Sequence, residues 1–280
     1  MRLVKDLLQW AVTELCQSPS PKLDAEILLA FSLNKNRSFL FTWPDHRVDE
    51  DLAENFSVLI AQRKAGMPVA YLVGERGFWN LNLTVNNSTL IPRPETELLV
   101  EIALECTLAT ARVLDLGTGT GAIALAIAKE RPQWQVDGVD RITGAIALAN
   151  QNAVDNQVFN ANFWPSNWFD CVQDQYDVIV SNPPYIAEDD EHLQQGDVQF
   201  EPRSALVADE NGLADIRHII FHSRDVLRPG GQLWLEHGWK QAEAVRSLLN
   251  EAGFQQVQTR PDLSGNDRVS GGVWQTVQAR

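Results

Sequence analysis

The chain has 280 residues, room for one large domain or two modest ones, and its 44% apolar content is ordinary for a soluble globular protein. A formal net charge of −14 argues against naked nucleic acid as a default partner, because phosphate binding needs a basic surface. The acidity is uneven, with 9 Lys/Arg against 10 Asp/Glu through Arg76 and 14 against 27 after it, which hints at two units. Cys16, Cys106 and Cys171 are scattered and odd in number, without Cys/His ligand spacing, so neither a disulfide framework nor a metal site is expected.

The opening "MRLVKDLLQWAVTEL" sets Leu3, Leu7, Leu8, Ala11 and Leu15 on one helical face between charges. That is an amphipathic helix and not the unbroken apolar core of a signal peptide. No apolar run approaches the ~18 residues of a membrane span, and a reducing cytoplasm fits all of this. After a Ser/Pro loop, a second helix carries Leu23, Ile27, Leu28 and Phe31 as its apolar positions. A third runs near "DEDLAENFSVLIAQRKAG", stopped by Gly66 and Pro68. Phe78, Leu81, Leu83 and Val85 then alternate around Gly74 and Gly77, the pattern of a β-hairpin. The expected organisation is a helical N-terminal unit over residues 1–73, a hairpin linker over 74–90 and a larger domain over 91–280. In "IPRPETELLVEIALECTLA" a loop leads into a helix, with Pro94 where a first turn tolerates it.

From Arg112 the pattern changes. "RVLDLG", "WQVDGVD", "VIVSN", "QLWLEHG" and the terminal "GGVWQTVQA" read as strands. Between them lie helices at "GAIALAIAKERP", ended by Pro132, at "TGAIALANQNAVDN", at "LADIRHIIFHSRDVLRPGG", with a glycine stop, and at "QAEAVRSLLNEAGF". Strand–helix alternation at this spacing predicts an α/β fold with a doubly wound, mostly parallel sheet, leaving room for one antiparallel strand.

"DLGTGTGA" (Asp115 to Ala122) lies between a strand and a helix. Gly117, Gly119 and Gly121 allow a sharp turn and close backbone approach to a ligand, with Thr118 and Thr120 between them. The string fits a loose adenosine-cofactor fingerprint and does not by itself separate a nicotinamide site from an adenosylmethionine site. Asp140 ends the next strand at the spacing where a carboxylate accepts from ribose hydroxyls. Asp137, mid-strand, is its rival, and a helix N-terminal carboxylate is the other reading of Asp140. In "SNWFD", Trp168 is a candidate to face an adenine ring with Phe169 behind it, although a lone aromatic is more often core.

"VSNPPYI" closes the strand that begins at Tyr176. Pro183 and Pro184 have no N–H to donate and end the ladder. In a doubly wound sheet ligands sit at the carboxyl ends of strands, where Asn182 stands, held extended by the proline after it. The amide oxygen of Asn182 and the backbone oxygen of Pro183 can each accept one N–H, gripping a planar –NH₂ group with the Tyr185 ring on its face. A rigid turn without a ligand is the plain alternative.

Taken together, Asn182-Pro183-Pro184-Tyr185 after "DLGTGTGA" resembles the class I adenosylmethionine-dependent methyltransferases that act on planar nitrogens. "RKAGMPVAYLVGERGFW", "IPRPETELLV", "FEPRSALVADENGLADI" and "DLSGNDRV" extend the match. With them the chain resembles the bacterial release-factor glutamine methyltransferase family (PrmC/HemK) over nearly its whole length from Arg63.

The resemblance implies a seven-stranded methyltransferase sheet and a helical domain that contacts the substrate. It also implies N5-methylation of the glutamine in the Gly-Gly-Gln motif of class I peptide-chain release factors, with S-adenosyl-L-methionine as donor. By motif, Gly117, Thr118, Gly119, Thr120, Gly121, Asp140, Trp168 and Asn182 would contact the cofactor, and Asn182, Pro183, Pro184 and Tyr185 would hold the glutamine amide. Asn167 departs from the acid that relatives often carry there, though its amide oxygen could still serve the adenine amino group. No metal, membrane or direct nucleic-acid partner is implied.

The long polar stretch from Glu188 to Gly212 is expected to flank the shelf, with Glu201 and Arg203 either ordering it or forming a surface pair. The rival functions are an N6-adenine methyltransferase, which needs the same shelf, a nicotinamide dehydrogenase, which leaves the shelf unexplained, and a catalytically silent partner of the translation apparatus.

Overall fold

The computed structural model describes residues 2–275. Its first unit runs through Glu75 and also takes in Gln194–Phe200. Here α1 (Val4–Glu14), α2 (Pro21–Ser32), α3 (Arg37–Thr42), α4 (Glu50–Lys64) and α5 (Val69–Val73) are helical. They pack around Leu7, Leu28, Leu29, Phe56 and Ile60, while β1 (Arg2–Leu3) pairs with β2 (Arg47–Val48). The buried face of α2 is not the one its apolar residues suggest. Leu23 and Phe31 are 42% and 47% exposed, whereas Asp24 and Glu26 are buried beside Ala25 and Leu28. Asp24 accepts hydrogen bonds from Ser18 Oγ at 2.7 Å, Ser20 Oγ at 2.8 Å and Arg63 Nε at 2.7 Å. A carboxylate with three donors can be buried, and that face of the helix turns inward. Arg63 also reaches Asp197 at 2.8 Å, which anchors the 194–200 segment to this unit.

The second unit opens with a hairpin of β3 (Glu75–Phe78) and β4 (Leu81–Thr84), followed by α6 (Glu97–Leu104). Phe78, Leu81, Leu83 and Val85 are all buried, so the alternation read from sequence is real, and Trp79 turns the hairpin at φ +54°. Then come β5 (Arg112–Leu116), α7 (Ala122–Glu130), β6 (Gln135–Asp140), α8 (Thr143–Asp155), β7 (Ala161–Pro165) and β8 (Tyr176–Ser181). A turn at α9 (Asp209–Gly212) precedes α10 (Ala214–Val226), β9 (Leu227–Glu236), α11 (Ala242–Glu251), β10 (Gln255–Pro261) and β11 (Asp267–Val273).

Seven strands form one sheet in the order β10-β11-β9-β8-β5-β6-β7. β7, β6, β5, β8 and β9 are parallel, and β11 runs antiparallel to both of its neighbours. Side chains alternate between two cores, as the two-residue period of a strand requires. Val178, Val180 and Trp234 join the layer that holds α6 and α7, whereas Ile179, Leu233 and Leu235 join the one that holds α10 and α11.

Two boundaries differ from the sequence reading. α10 stops at Val226, before the Gly230-Gly231 pair, because Pro229 biases Arg228 to extended geometry and buried Leu227 already begins β9. The last strand ends at Val273, and the part of "GGVWQTVQA" from Thr276 lies outside the described residues. The 188–212 stretch is a series of short turns at Glu191–Gln194, Gly196–Phe200 and Arg203–Ala205, with a bridge between Ile186 and Val207. Among the described residues no helix is long and apolar enough to cross a membrane.

Candidate active site

β6 lies on one side of β5 and β8 on the other, so the strand order reverses at β5. A crevice opens at the carboxyl ends of such strands, where the connecting loops part in opposite directions. The cleft there is open, with ≈ 900 Å³ of empty space counted out into solvent. Gly117, Thr118, Gly119, Thr120, Asp140, Trp168, Asn182 and Pro184 line it together with Thr96 and Asn167. Gly121, Pro183 and Tyr185 do not. Gly121 stands at φ +81° as the N-cap of α7, where a Cβ would lie 3.1–3.3 Å from Leu125, Ala149 and Phe163. Its need for glycine is therefore one of packing beneath the loop.

Asp140 holds the loop from below. Its Oδ2 accepts the Gly119 N–H at 3.0 Å and its Oδ1 accepts the Ile142 N–H at 2.9 Å, at the start of α8. Burial raises its pKa against these hydrogen bonds. Each carboxylate oxygen has a second acceptor site, so Asp140 can order the turn before α8 and still accept from hydroxyls in the cleft. Asp137 is committed elsewhere. It pairs with Arg112 at 2.8 Å and accepts from the Tyr176 hydroxyl at 3.1 Å. Trp168, at φ +50°, lays its ring 3.4 Å from where a Gly117 Cβ would stand. Ser166 Oγ stabilises that turn, donating to Trp168 O at 2.9 Å and accepting from Cys171 N at 3.0 Å. Phe169 packs against His218 and His222. The Asn167 Nδ2 lies 3.5 Å from Asp170.

Asn182 follows β8 directly, and Ser181 is pinned by its hydroxyl to Leu116 O at 2.7 Å. Asn182 Nδ2 donates to Thr96 Oγ1 at 3.2 Å. Among the described residues neither Asn182 Oδ1 nor the Pro183 carbonyl makes a hydrogen bond, so both keep acceptor sites, and of the two residues Asn182 lines the cleft. The Tyr185 hydroxyl donates to Glu236 Oε1 at 3.2 Å, and burial beside that carboxyl raises the phenol's pKa.

Several contributors are not singled out as site residues from the sequence. Thr96 sits in the "PRPETE" loop, Glu236 at the end of β9, and Asn152 mid-helix, where its amide clamps Thr84 N, Thr84 O and Thr120 O at 2.8, 3.1 and 2.9 Å. Asp115 is fully buried and accepts from Thr118 Oγ1 at 2.7 Å. Glu201 and Arg203 do not pair with each other. Glu201 is buried, accepts the Ile91 N–H at 3.1 Å and pairs with Arg93, while exposed Arg203 lies 3.7 Å from Glu188. Helical signals in the 91–96 loop and polar ones near 201 hold no hint that the two meet.

Comparison with known proteins gives the family. Residues 6–74 match the PrmC N-terminal domain and residues 94–201 the methyltransferase small domain. A release factor glutamine methyltransferase from Shewanella oneidensis is 49% identical over 97% of this chain and 96% of its own length. One from Pseudomonas aeruginosa is 52% identical over 94% and 96%. Among solved structures, a methyltransferase from Pyrococcus furiosus superposes with a TM-score of 0.55 at 18% identity, covering 79% of this chain and all of its own, a likeness of fold. With near-full-length identity at this level and a matching N-terminal domain, the chain belongs to the release factor glutamine methyltransferase family.

Proposed function

We propose that this protein transfers a methyl group from S-adenosyl-L-methionine to the side-chain amide nitrogen (N5) of the glutamine in the Gly-Gly-Gln motif of class I peptide-chain release factors. The observation that carries the reading is the Asn182 amide at the end of β8. Its Nδ2 is taken by Thr96, which leaves Oδ1 as an acceptor on a residue that lines the cleft.

The cleft residues fit the donor. Left-handed Gly117 and Gly119 bring backbone to the cavity wall, with only ordinary contact distances (3.4 Å or more) around a notional Cβ, so the floor is close yet uncrowded. Asp140 offers acceptors for ribose hydroxyls and Trp168 an aromatic face for the adenine. Bound there, adenosylmethionine supplies an electrophilic sulfonium methyl.

The protein's own residues supply orientation. Asn182 Oδ1 and Pro183 O each accept one N–H of the glutamine amide, which fixes its plane, and the Tyr185 ring packs on that plane. An amide nitrogen is a weak nucleophile because its lone pair is delocalised. Two acceptors on its hydrogens raise electron density at nitrogen and aim the lone pair along the methyl axis. In-line attack at ~3–3.5 Å with this alignment accounts for several kcal/mol of the barrier. Methyl transfer would leave S-adenosyl-L-homocysteine as the neutral thioether, and one of the two N–H protons held by Asn182 Oδ1 and Pro183 O would pass to water as the nitrogen pyramidalises. The helical unit, residues 1–73, binds the release factor in this reading.

Purified protein incubated with methyl-labelled donor and a release factor should label one glutamine, read by peptide mass spectrometry. Label found in nucleic acid alone, or none on the release factor, sinks the proposal. The −14 charge already disfavours the adenine alternative.

A further inference from the structure

Two asparagines four residues apart on α8 take the place of a neighbouring strand. We infer that one of them, Asn152, is a positioning residue for the donor cleft, because its single amide fixes the glycine loop against the 88–90 segment. The inference rests on the proposed reading that this cleft holds adenosylmethionine, and adds a residue to it.

β4 pairs with β3, and side chains of α8 take backbone groups that β3 leaves over. Asn152 Oδ1 accepts the Thr84 N–H at 2.8 Å, and its Nδ2 donates to Thr84 O at 3.1 Å. Asn156 repeats the pattern on Asn82, with 3.1 Å to the N–H nitrogen and 2.9 Å to the carbonyl oxygen. An antiparallel strand would satisfy the same N–H and C=O pairs. The spacing fits, since four helical residues rise ~6 Å and two strand residues ~6.8 Å. The two amides differ in their second hydrogen. Asn156 returns it to its own helix, at Asn152 O, 3.0 Å away. Asn152 sends it to Thr120 O in the glycine loop, at 2.9 Å.

Two segments that line the cleft therefore meet at one side chain. Thr118, Gly119 and Thr120 belong to one, and Ser88, Thr89 and Leu90, a few residues beyond the end of β4, to the other. They lie close together, with Thr89 Cβ 3.8 Å from where a Gly119 Cβ would stand. The Thr120–Gly121 peptide is held at both ends, its carbonyl by Asn152 and its N–H by Thr118 O at 2.8 Å. Asn152 is 0% exposed. A site that needed only packing would take an apolar residue, as α8 does at Leu148 and Ala149. A buried amide is unfavourable unless its groups are bonded, and here both N–H hydrogens and the oxygen are used. Without Asn152 the Thr120 carbonyl loses its partner in a buried place. The loop then relaxes away from its present geometry, and donor binding has to restore it.

The test measures adenosylmethionine affinity by calorimetry and steady-state methylation of a release factor for wild type, Asn152→Ala, Asn152→Ser and Asn156→Ala, with thermal midpoints alongside. Asn152→Ser guards against an alanine variant that does not fold. A mid-helix serine hydroxyl can donate to the carbonyl four residues back, as Ser32 and Ser57 do in this protein, so it stays satisfied while the bond to Thr120 is lost. The expected result is a donor Kd and donor KM raised about 10- to 100-fold in both Asn152 variants, the scale of orphaning a buried carbonyl. KM for the release factor and kcat at saturating donor should stay within about threefold, the signature of lost donor binding alone. Asn156→Ala loosens the same strand without touching the glycine loop, so it should lower the thermal midpoint yet keep donor affinity within about twofold. An Asn152 variant that binds the donor as tightly as wild type, or Asn156→Ala weakening it as much as Asn152→Ala, overturns the inference. A wild-type protein without adenosylmethionine affinity defeats the donor reading instead, and the inference with it.

Discussion

Gly212 is the position where a single methyl group should disturb the shelf most. It stands at φ +82°, and a Cβ there would lie 2.1 Å from Tyr185 O, 2.6 Å from Tyr185 C and 2.8 Å from Gln241 Nε2. Gln241 Nε2 itself donates to Tyr185 O at 3.0 Å, so the carbonyl cannot rotate away without losing a bond. The left-handed backbone alone costs alanine about 1–2 kcal/mol. Relieving the contact requires roughly 1 Å of movement by the backbone of Tyr185 or by the turn, and a displacement of that size at a reacting group costs about 10²-fold in rate. Gly212→Ala should therefore lower kcat for release-factor methylation by about two orders of magnitude and lower stability by about 2–4 kcal/mol in urea melts. Gly230→Ala is the matched control. It has φ +83° but nothing within 4 Å of its notional Cβ, so it should lose only the conformational increment and keep full turnover. Equal behaviour of the two variants, or wild-type turnover in Gly212→Ala, would refute the claim that the turn sets the position of the shelf.

Asn182→Ala should leave adenosylmethionine affinity largely intact and reduce turnover by about 10²- to 10³-fold, the scale seen when one oriented hydrogen-bonding group is removed; calorimetry together with single-turnover methylation separates the two effects. Trp168→Ala should weaken donor binding about tenfold, the value of one aromatic face, with kcat at saturation little changed. Burial raises Asp115 to about 7 from an unfolded value near ~3.9, so the folded state holds the extra proton between those limits. Its contribution to stability is greatest below pH ~4 and declines as pH rises to about 7, at up to ~1.4 kcal/mol per pH unit. Urea melts at pH 5 and 8 should show Asp115→Asn losing about 2–3 kcal/mol less across that interval than wild type, and parallel losses would count against the buried acid. Arg63→Met strands two carboxylates, Asp24 and Asp197, and should destabilise the helical unit by roughly 3–5 kcal/mol in a thermal or urea melt.

The residues legible in sequence share one property: their signal is local. Alternation over Phe78, Leu81, Leu83 and Val85 reports a pleat. Gly117 and Gly119 report a backbone that side chains would obstruct, and Pro183-Pro184 reports where a ladder must stop. The second helix misleads because periodicity scores Asp24 as polar, whereas the Ser18 and Ser20 hydroxyls together with the distant Arg63 make it a core residue. The end of α10 is hard to place because a glycine pair is a strong stop signal, yet Pro229 and buried Leu227 act first.

By itself the amino-acid sequence determined the α/β class, the glycine loop with Asp140 one strand later, and an Asn-Pro-Pro-Tyr turn at the end of a strand. Those follow from backbone chemistry within a few residues. The tertiary structure alone decided that Thr96 would meet Asn182 and Glu236 would meet Tyr185 at the shelf, that Glu201 would pair with Arg93, and that Gly212 would press on Tyr185. Such meetings depend on which strands become neighbours. That order comes from packing both faces of one sheet at once, a property of the whole fold that no short segment carries.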